Sequence, residues 1–262
     1  MPDTLIGTSG FSFSDWNGPV YPPGVTSEQR LPWYAQRLNM VELNFSFYRM
    51  PAAHMLESMA SRVPQRFEFV VKAHRSLTHE IDADWQDRLA RLREAVRPLS
   101  ERDILAGTLL QFPYRFHYTS EHRRYLAELC ERSKGMNPAV EFRNAEWIRP
   151  SVLEGLSKRA TTFVVPDLPR LRNLPEFHPV ATTNTLYARL HGRNSETWWG
   201  GTNNTRYHYR YDDQELSSIA HALRAEMHNV ERLIVTFNNH FEGNAFDNAM
   251  RMSQMLPDVH SK

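Results

Sequence analysis

Residues 67–74 read Phe67-Glu68-Phe69-Val70-Val71-Lys72-Ala73-His74. They have the pattern of a buried strand that ends in polar side chains, and this pattern is the first indication of the fold class. Side chains alternate across a strand, so one face is wholly apolar and comprises Phe67, Phe69, Val71 and Ala73. The opposite face carries Val70, Lys72 and His74. The polar pair therefore lies at the carboxyl end of this strand.

Three other apolar runs end in the same i,i+2 polar pair, formed by Glu42 with Asn44, Glu141 with Arg143, and Arg189 with His191. In all, eight short apolar or β-branched runs predict strands. Their predicted bounds are Leu5 to Gly10, Met40 to Tyr48, Phe67 to His74, Ile104 to Phe112, Ala139 to Arg143, Thr161 to Asp167, Thr185 to His191 and Arg232 to Asn239.

Segments with helical periodicity separate most of these strands, as in Trp85, Leu89, Leu92 and Val96. Predicted helix starts are marked by a capping residue with an acidic residue three positions later, in the pairs Ser151 and Glu154, Asp212 and Glu215, and Asn244 and Asp247. The segment from Arg170 to Val180 contains two prolines, so we expect a loop or a short irregular helix after the sixth strand.

Eight strands alternating with helices favour an α/β fold, a TIM-type (β/α)8 barrel, over an open doubly wound sheet. Polar residues at the ends of most strands suit a ring around a barrel mouth, whereas a doubly wound sheet gathers its ligand groups at one crevice. No linker or repeat divides the chain, so residues 1–262 are predicted to form a single domain.

Composition excludes several classes of protein. The chain has 262 residues with 31 basic and 30 acidic side chains, and a net charge of +1 does not indicate a protein that coats polyanions. The single Cys130 excludes an intramolecular disulfide and fits a cytoplasmic location. No leader or membrane segment is expected, because no run of about 18 apolar residues occurs. No feature predicts an oligomeric state.

Several short motifs in a fixed order resemble the YecE-like family, also known as domain of unknown function number 72. They include Gly7-Thr8-Ser9-Gly10, Val41-Glu42-Leu43-Asn44, Phe47-Tyr48-Arg49, Leu77-Thr78-His79, Gln111-Phe112-Pro113, Val140-Glu141-Phe142-Arg143, His191-Gly192-Arg193 and Phe237-Asn238-Asn239. The resemblance spans nearly the whole chain and implies a TIM-type barrel. It assigns no activity and no catalytic residue. The chain departs from the family at Phe11 and Phe13, where Trp and Tyr are frequent.

The strand ends predict an anion-accepting site, because three cations (Lys72, Arg143 and Arg189) face only two carboxylates (Glu42 and Glu141). A small molecule with a phosphate or carboxylate is the expected partner. Arg193, with Gly200-Gly201 and the helix start at Asn244, would bind a phosphate after strands seven and eight. The remaining candidate binding residues are Ser9, Asn44, Tyr48, Gln111, Asp167 and Asn238.

Metal-independent acid/base chemistry is the preferred reaction class. Glu42 or Glu141 would be the general base, and His74 or His191 the proton donor. Lys72 would stabilise charge, because neighbouring carboxylates are expected to raise its pKa, which favours an ion pair over a Schiff-base amine.

Two alternatives stay open. The first is a metal-dependent phosphoester hydrolase of endonuclease type, in which a divalent ion is bound by His74, Glu141, Asp167 and His191, although no metal or other cofactor is favoured. The second is a nucleic-acid or ligand binding module that uses the aromatic and basic loop 193–211. Near-zero net charge favours a lid that packs over the barrel mouth instead of a nucleic-acid surface.

Overall fold

The computed structural model describes residues 2–256, and within them eight parallel strands close into a barrel in which the first strand pairs with the eighth. This confirms the predicted TIM-type barrel. The strands are β1 Asp3–Ser9, β2 Met40–Leu43, β3 Glu68–Lys72, β4 Leu105–Phe112, β5 Pro138–Phe142, β6 Thr162–Asp167, β7 Thr185–Leu190 and β8 Arg232–Phe237.

Helices surround the barrel and also shape its mouth. They are α1 Ser27–Ala35, α2 Phe45–Tyr48, α3 Ala53–Ala60, α4 Trp85–Glu101, α5 Ser120–Arg132, α6 Pro150–Ser157, α7 Asn203–Arg206, α8 Asp213–Met227 and α9 Asn244–Met255. Short 3₁₀ turns lie at Ser14–Trp16, Arg75–Leu77, Ala145–Trp147 and Phe241–Gly243. No helix within residues 2–256 combines the length and hydropathy needed to cross a membrane.

Two apolar layers hold the barrel. Val70 packs inside it with residues such as Met40 and Tyr187, whereas Phe69 and Val71 pack outward into the large cluster beneath the helices. The alternation predicted for the third strand is therefore confirmed. Inward-pointing side chains at the carboxyl ends of the strands meet at one mouth, which is the end where TIM barrels carry their sites.

Six of the eight predicted strands run past the observed carboxyl end, whereas β4 and β6 end at the predicted residue. The second ends at Leu43 and not at Tyr48, because the chain turns into the short helix α2 immediately after Asn44. The third ends at Lys72, and His74 instead caps the 3₁₀ turn that follows by accepting a hydrogen bond from the Ser76 amide. Apolar residues in a helix at the mouth resemble a strand in sequence, which explains the first error.

Of the three predicted helix starts, one is confirmed. Asp212 and Glu215 form a capping box at the start of α8. The capping box predicted at Ser151 is wrong: α6 begins one residue earlier at Pro150, which suits the first helical position because proline has no amide hydrogen to leave unpaired there. The helix α9 begins at Asn244, but its capping residue is Gly243. Residues 170–180 contain no helix, as the sequence predicted.

Candidate functional site

A buried network of charges forms the floor of the barrel mouth, and Glu42 on β2 is one of its two carboxylates. The Arg189 guanidinium from β7 donates to it through Nε at 2.8 Å and Nη2 at 2.6 Å. The hydroxyls of Ser9 and Tyr187 donate to it at 2.5 and 2.9 Å. Asn44 donates in turn to the Ser9 hydroxyl at 2.6 Å. All lone pairs of Glu42 are thus directed at donors inside the barrel.

Glu141 on β5 is the second buried carboxylate, and it accepts hydrogen bonds from both Arg143 and Arg189. The Nε2 atom of His191 lies 3.2 Å from it. The other ring nitrogen of His191 faces two donors, the Asn238 amide at 3.0 Å and the Arg143 guanidinium at 3.2 Å. A neutral ring protonated at Nε2 satisfies all of these contacts.

The electrostatics of this network fix its protonation states. Burial would raise the pKa of Glu141, but the charges of Arg143 and Arg189 outweigh it and hold that pKa well below the usual value. Burial, with the Arg143 charge, lowers the pKa of His191 to about 3. At neutral pH Glu141 is ionised and His191 is uncharged. Both residues hold the arginines in place, and a pKa so far below neutral makes each of them a weak proton acceptor.

Lys72 lies above this floor, at the end of β3, and its environment differs from the one that the sequence suggested. Among the residues that the structure describes, none forms an ion pair or hydrogen bond with its ammonium group, which lies 4.3 Å from the centre of the Phe47 ring. Burial, together with the charge of Arg189, lowers the pKa of Lys72 to about 7. The expected rise was wrong, because burial and the nearby arginines outweigh the attraction of Glu42 and Glu141.

A cavity of about 300 Å³ opens above Lys72. Three of its lining residues are cationic, namely Lys72, Arg143 and Arg206, and within the described part of the chain no Asp or Glu lines it. The rest of the lining is mostly aromatic or neutral and polar, and comprises Phe47, Tyr48, His79, Gln111, Pro113, Tyr114, Leu174, Trp198, Trp199 and Tyr207. The mouth is therefore a positively charged, aromatic cavity above a neutralised floor.

The loop 193–211 forms one wall of this cavity, as expected for a lid that packs over the mouth. Trp198 is buried, and the guanidinium groups of Arg143 and Arg206 lie 5.6 and 5.9 Å from the centre of its ring. The Nε atom of Arg206 is buried and has no hydrogen-bond partner within residues 2–256. Trp199 stands at the rim, where 54% of its surface is exposed and its ring meets that of Tyr114 edge-on.

Three residues predicted for the site lie elsewhere. His74 is bonded to Ser76 beyond the strand end. Asp167 shares the outer face of β6 with Val165 and accepts from the Tyr211 hydroxyl at 2.5 Å, so it does not line the mouth. Arg193 binds Asp167 and Glu215 at 2.8 and 3.0 Å, behind the mouth, so its charge is already neutralised.

Among the other predicted binding residues, Tyr48 and Gln111 line the cavity, while Ser9, Asn44, Arg189 and Asn238 belong to its floor. Sequence reasoning missed Phe47, Pro113, Tyr114 and Leu174 as lining residues. Tyr114 follows Gln111-Phe112-Pro113, so its place after a strand end was a usable signal. Leu174 lies in the irregular segment after β6, for which the sequence offered no comparable signal.

The predicted metal ligands do not come together. Glu141 and His191 are adjacent, but His74 and Asp167 are directed to other partners. Within residues 2–256, no group of three or more His, Cys, Asp or Glu side chains could hold a metal ion. The residues present therefore do not fit the divalent-ion site of the hydrolase alternative.

The fold and the site together define a TIM-type barrel protein with a cationic, aromatic mouth. Residues 5–262 match the family described as "Protein of unknown function DUF72", and the chain belongs to that family. The resemblance noted from the short motifs is thereby confirmed.

Similar proteins cover nearly the full length. The UPF0759 protein YunF of Bacillus subtilis (strain 168) is 31% identical over 98% of this chain and 95% of its own. The crystal structure of a DUF72 family protein (TM1631) from Thermotoga maritima MSB8 is 35% identical, with a TM-score of 0.89 over 98% of this chain and 100% of that one. A DUF72 family protein (EF0366) from Enterococcus faecalis V583 is 27% identical, with a TM-score of 0.84 over 97% of this chain and 95% of that one.

Proposed function

We propose that the protein is an enzyme that binds a small anionic molecule in the mouth cavity and transforms it by metal-independent proton transfer. One observation carries the proposal: Lys72, Arg143 and Arg206 line the cavity with no carboxylate among the described lining residues. Glu141 on the floor compensates Arg143, whereas Arg206 and the ammonium form of Lys72 have no carboxylate partner among the described residues. Cations without a counter-charge favour an anion, because they would otherwise be partly desolvated and unpaired.

The ligand class follows from the charge and shape of the cavity. A guanidinium group binds phosphate or carboxylate through two parallel hydrogen bonds, so Arg143 and Arg206 suit either anion. The volume of about 300 Å³ is at the lower end of small-molecule sites, and the aromatic walls provide apolar contact for the rest of the ligand. A metabolite-sized anion with an apolar or planar portion fits these properties.

Lys72 is the group suited to proton transfer. A catalytic acid or base works best when its pKa is near the operating pH, and the pKa of Lys72 is lowered to about 7. His79 lines the same cavity, but burial lowers its pKa to about 3, so it is uncharged at neutral pH. The acid/base role that the sequence suggested for Glu42, Glu141, His74 or His191 is therefore assigned to Lys72.

Calorimetric titration with pyrophosphate tests the proposal. We expect Arg206→Gln to weaken binding about 10- to 100-fold, because a hydrogen bond to a charged group contributes roughly 1.5–3 kcal/mol. Arg91→Gln is the matched control, since Arg91 is exposed on α4 and remote from the cavity lining. Equal affinity in wild type and Arg206→Gln, or no binding by either, would contradict the proposal.

The binding-module alternative has its own support in the rim, where Tyr48 and Trp199 are 62% and 54% exposed. Such rings can stack on the bases of a single strand. Titration of a single-stranded oligonucleotide at increasing salt distinguishes the two functions. Oligonucleotide affinity that falls steeply with salt and needs Trp199 would favour the strand, whereas binding of pyrophosphate without binding of the oligonucleotide would favour the enzyme.

A further inference from the structure

The side chain of Lys72 is set apart from every other lysine that the structure describes. The chain has four lysines, and Lys134 and Lys158 are exposed and paired with Glu131 at 2.5 Å and Glu154 at 2.6 Å. Lys262 lies outside the described residues. Lys72 is partly buried, opens into the cavity and has no carboxylate partner within residues 2–256.

The surroundings of Lys72 favour the free amine over the ammonium ion. The two nearby carboxylates, Glu42 and Glu141, are occupied by Arg189, and Glu141 also by Arg143. The Nζ atom lies against the Phe47 ring instead of a hydrogen-bond acceptor. A lysine that is desolvated beside other cations is activated as a nucleophile. With its pKa lowered to about 7, roughly three quarters of Lys72 would be free amine at pH 7.5, against about 0.1% for an ordinary lysine.

We infer that Lys72 forms an imine with the carbonyl carbon of an aldehyde or ketone that also carries a phosphate or carboxylate. The inference rests on the proposed function, since Arg143 and Arg206 would hold the anionic group and so bring the carbonyl toward the amine in the same cavity. It also specifies the substrate class of that site: anionic carbonyl compounds.

The chemistry balances without a further reagent. The Nζ lone pair attacks the carbonyl carbon, a proton moves from nitrogen to oxygen, and a carbinolamine results. The hydroxyl of the carbinolamine takes up a proton from solvent and leaves as water, while the nitrogen lone pair forms the C=N bond and leaves a protonated imine. No group is oxidised or reduced, and addition of water reverses every step. A protonated imine withdraws electrons from the adjacent carbon, which is the activation that an amine catalyst supplies to isomerases and lyases.

Reductive trapping tests the inference with pyridoxal 5′-phosphate as the probe, because it is an aldehyde with a phosphate group. The full chain is incubated with the probe, reduced with sodium borohydride, and analysed by intact mass and peptide mapping. We expect one adduct per chain, located on Lys72, with labelling of Lys134 and Lys158 at least tenfold lower. Lys72→Arg should abolish the adduct and Lys134→Arg should leave it unchanged, with circular dichroism verifying that both variants are folded.

The outcomes separate the imine from the anion site. Protection by pyrophosphate, together with much weaker labelling by pyridoxal, which lacks the phosphate, would support both ideas. If pyrophosphate binds in calorimetry but Lys72 is not labelled, the imine is overturned and the anion site is still supported. Equal labelling of Lys72 by pyridoxal and its phosphate would support the imine and contradict the anion site. Labelling spread evenly over the lysines would overturn the inference.

Discussion

The Glu141→Gln variant tests the buried network most directly. Glu141 is fully buried and binds Arg143, Arg189 and His191, so the substitution keeps the shape of the side chain but removes its charge. Arg189 retains Glu42, whereas Arg143 loses the only carboxylate with which it pairs among residues 2–256. Breaking one partner of a buried ion pair costs about 3–5 kcal/mol, because the other charge is left uncompensated.

The assay is urea unfolding at pH 7, with Glu154→Gln as the matched control. Glu154 pairs with Lys158 on the exposed surface of α6, where solvent screens the charges and makes such a pair weak. We expect Glu141→Gln to lower the free energy of unfolding by about 3–5 kcal/mol and the control variant to lower it far less. A loss in Glu141→Gln no larger than that of the control would refute the reasoning that this carboxylate compensates the buried arginines.

Three further predictions concern ionisation and backbone geometry. Competitive acetylation followed across pH should give Lys72 a titration midpoint near 7, because burial and Arg189 disfavour its charged form. A midpoint near 10 would contradict the desolvated environment of Lys72. Since the pKa of His191 falls from 6.5 to about 3 on folding, the unfolded chain binds the extra proton and stability drops as pH falls below about 6.5. This proton lowers the free energy of unfolding by about 2 kcal/mol at pH 5. Urea unfolding of His191→Asn should not show this loss. Gly192→Ala should destabilise by about 1–3 kcal/mol in the same assay, because Gly192 has φ +84° and a Cβ would lie 2.5 Å from that of Tyr209. Gly200→Ala, with open space around it, should be within about 0.5 kcal/mol of wild type.

Strand alternation predicted the fold and much of the site's floor. Once Phe69 and Val71 face the helices, Lys72 must face the mouth, and the same parity brings Glu42, Glu141 and Arg189 to one place. Asp167 shows that the predicted face depends on the exact position of a residue in its strand. Val164 points into the barrel, so Asp167, three residues later, points outward, and a shift of one residue reverses the face.

The partners of each charge could not be read from the sequence. Lys72 and Arg189 lie on strands that are far apart along the chain, and only closure of the barrel decides which of them meets Glu42. The sequence also placed Arg193 at a phosphate site, but Glu215 at the start of α8 and Asp167 bind it behind the mouth. Tertiary geometry, not residue type, selects the cations that remain available to a ligand.

The charge balance explains why the cation left without a carboxylate at the strand ends is a lysine. Arg143, Arg189 and Lys72 share two carboxylates, so one positive charge is in excess. Arginine does not lose its proton in proteins, and the planar guanidinium of Arg189 bridges Glu42 and Glu141. The excess is therefore relieved at Lys72, the one member of the three that can deprotonate near neutral pH. An anion in the cavity supplies negative charge and raises the pKa of Lys72, so ligand binding and the protonation of Lys72 are coupled, and an imine forms from the fraction of Lys72 that stays deprotonated.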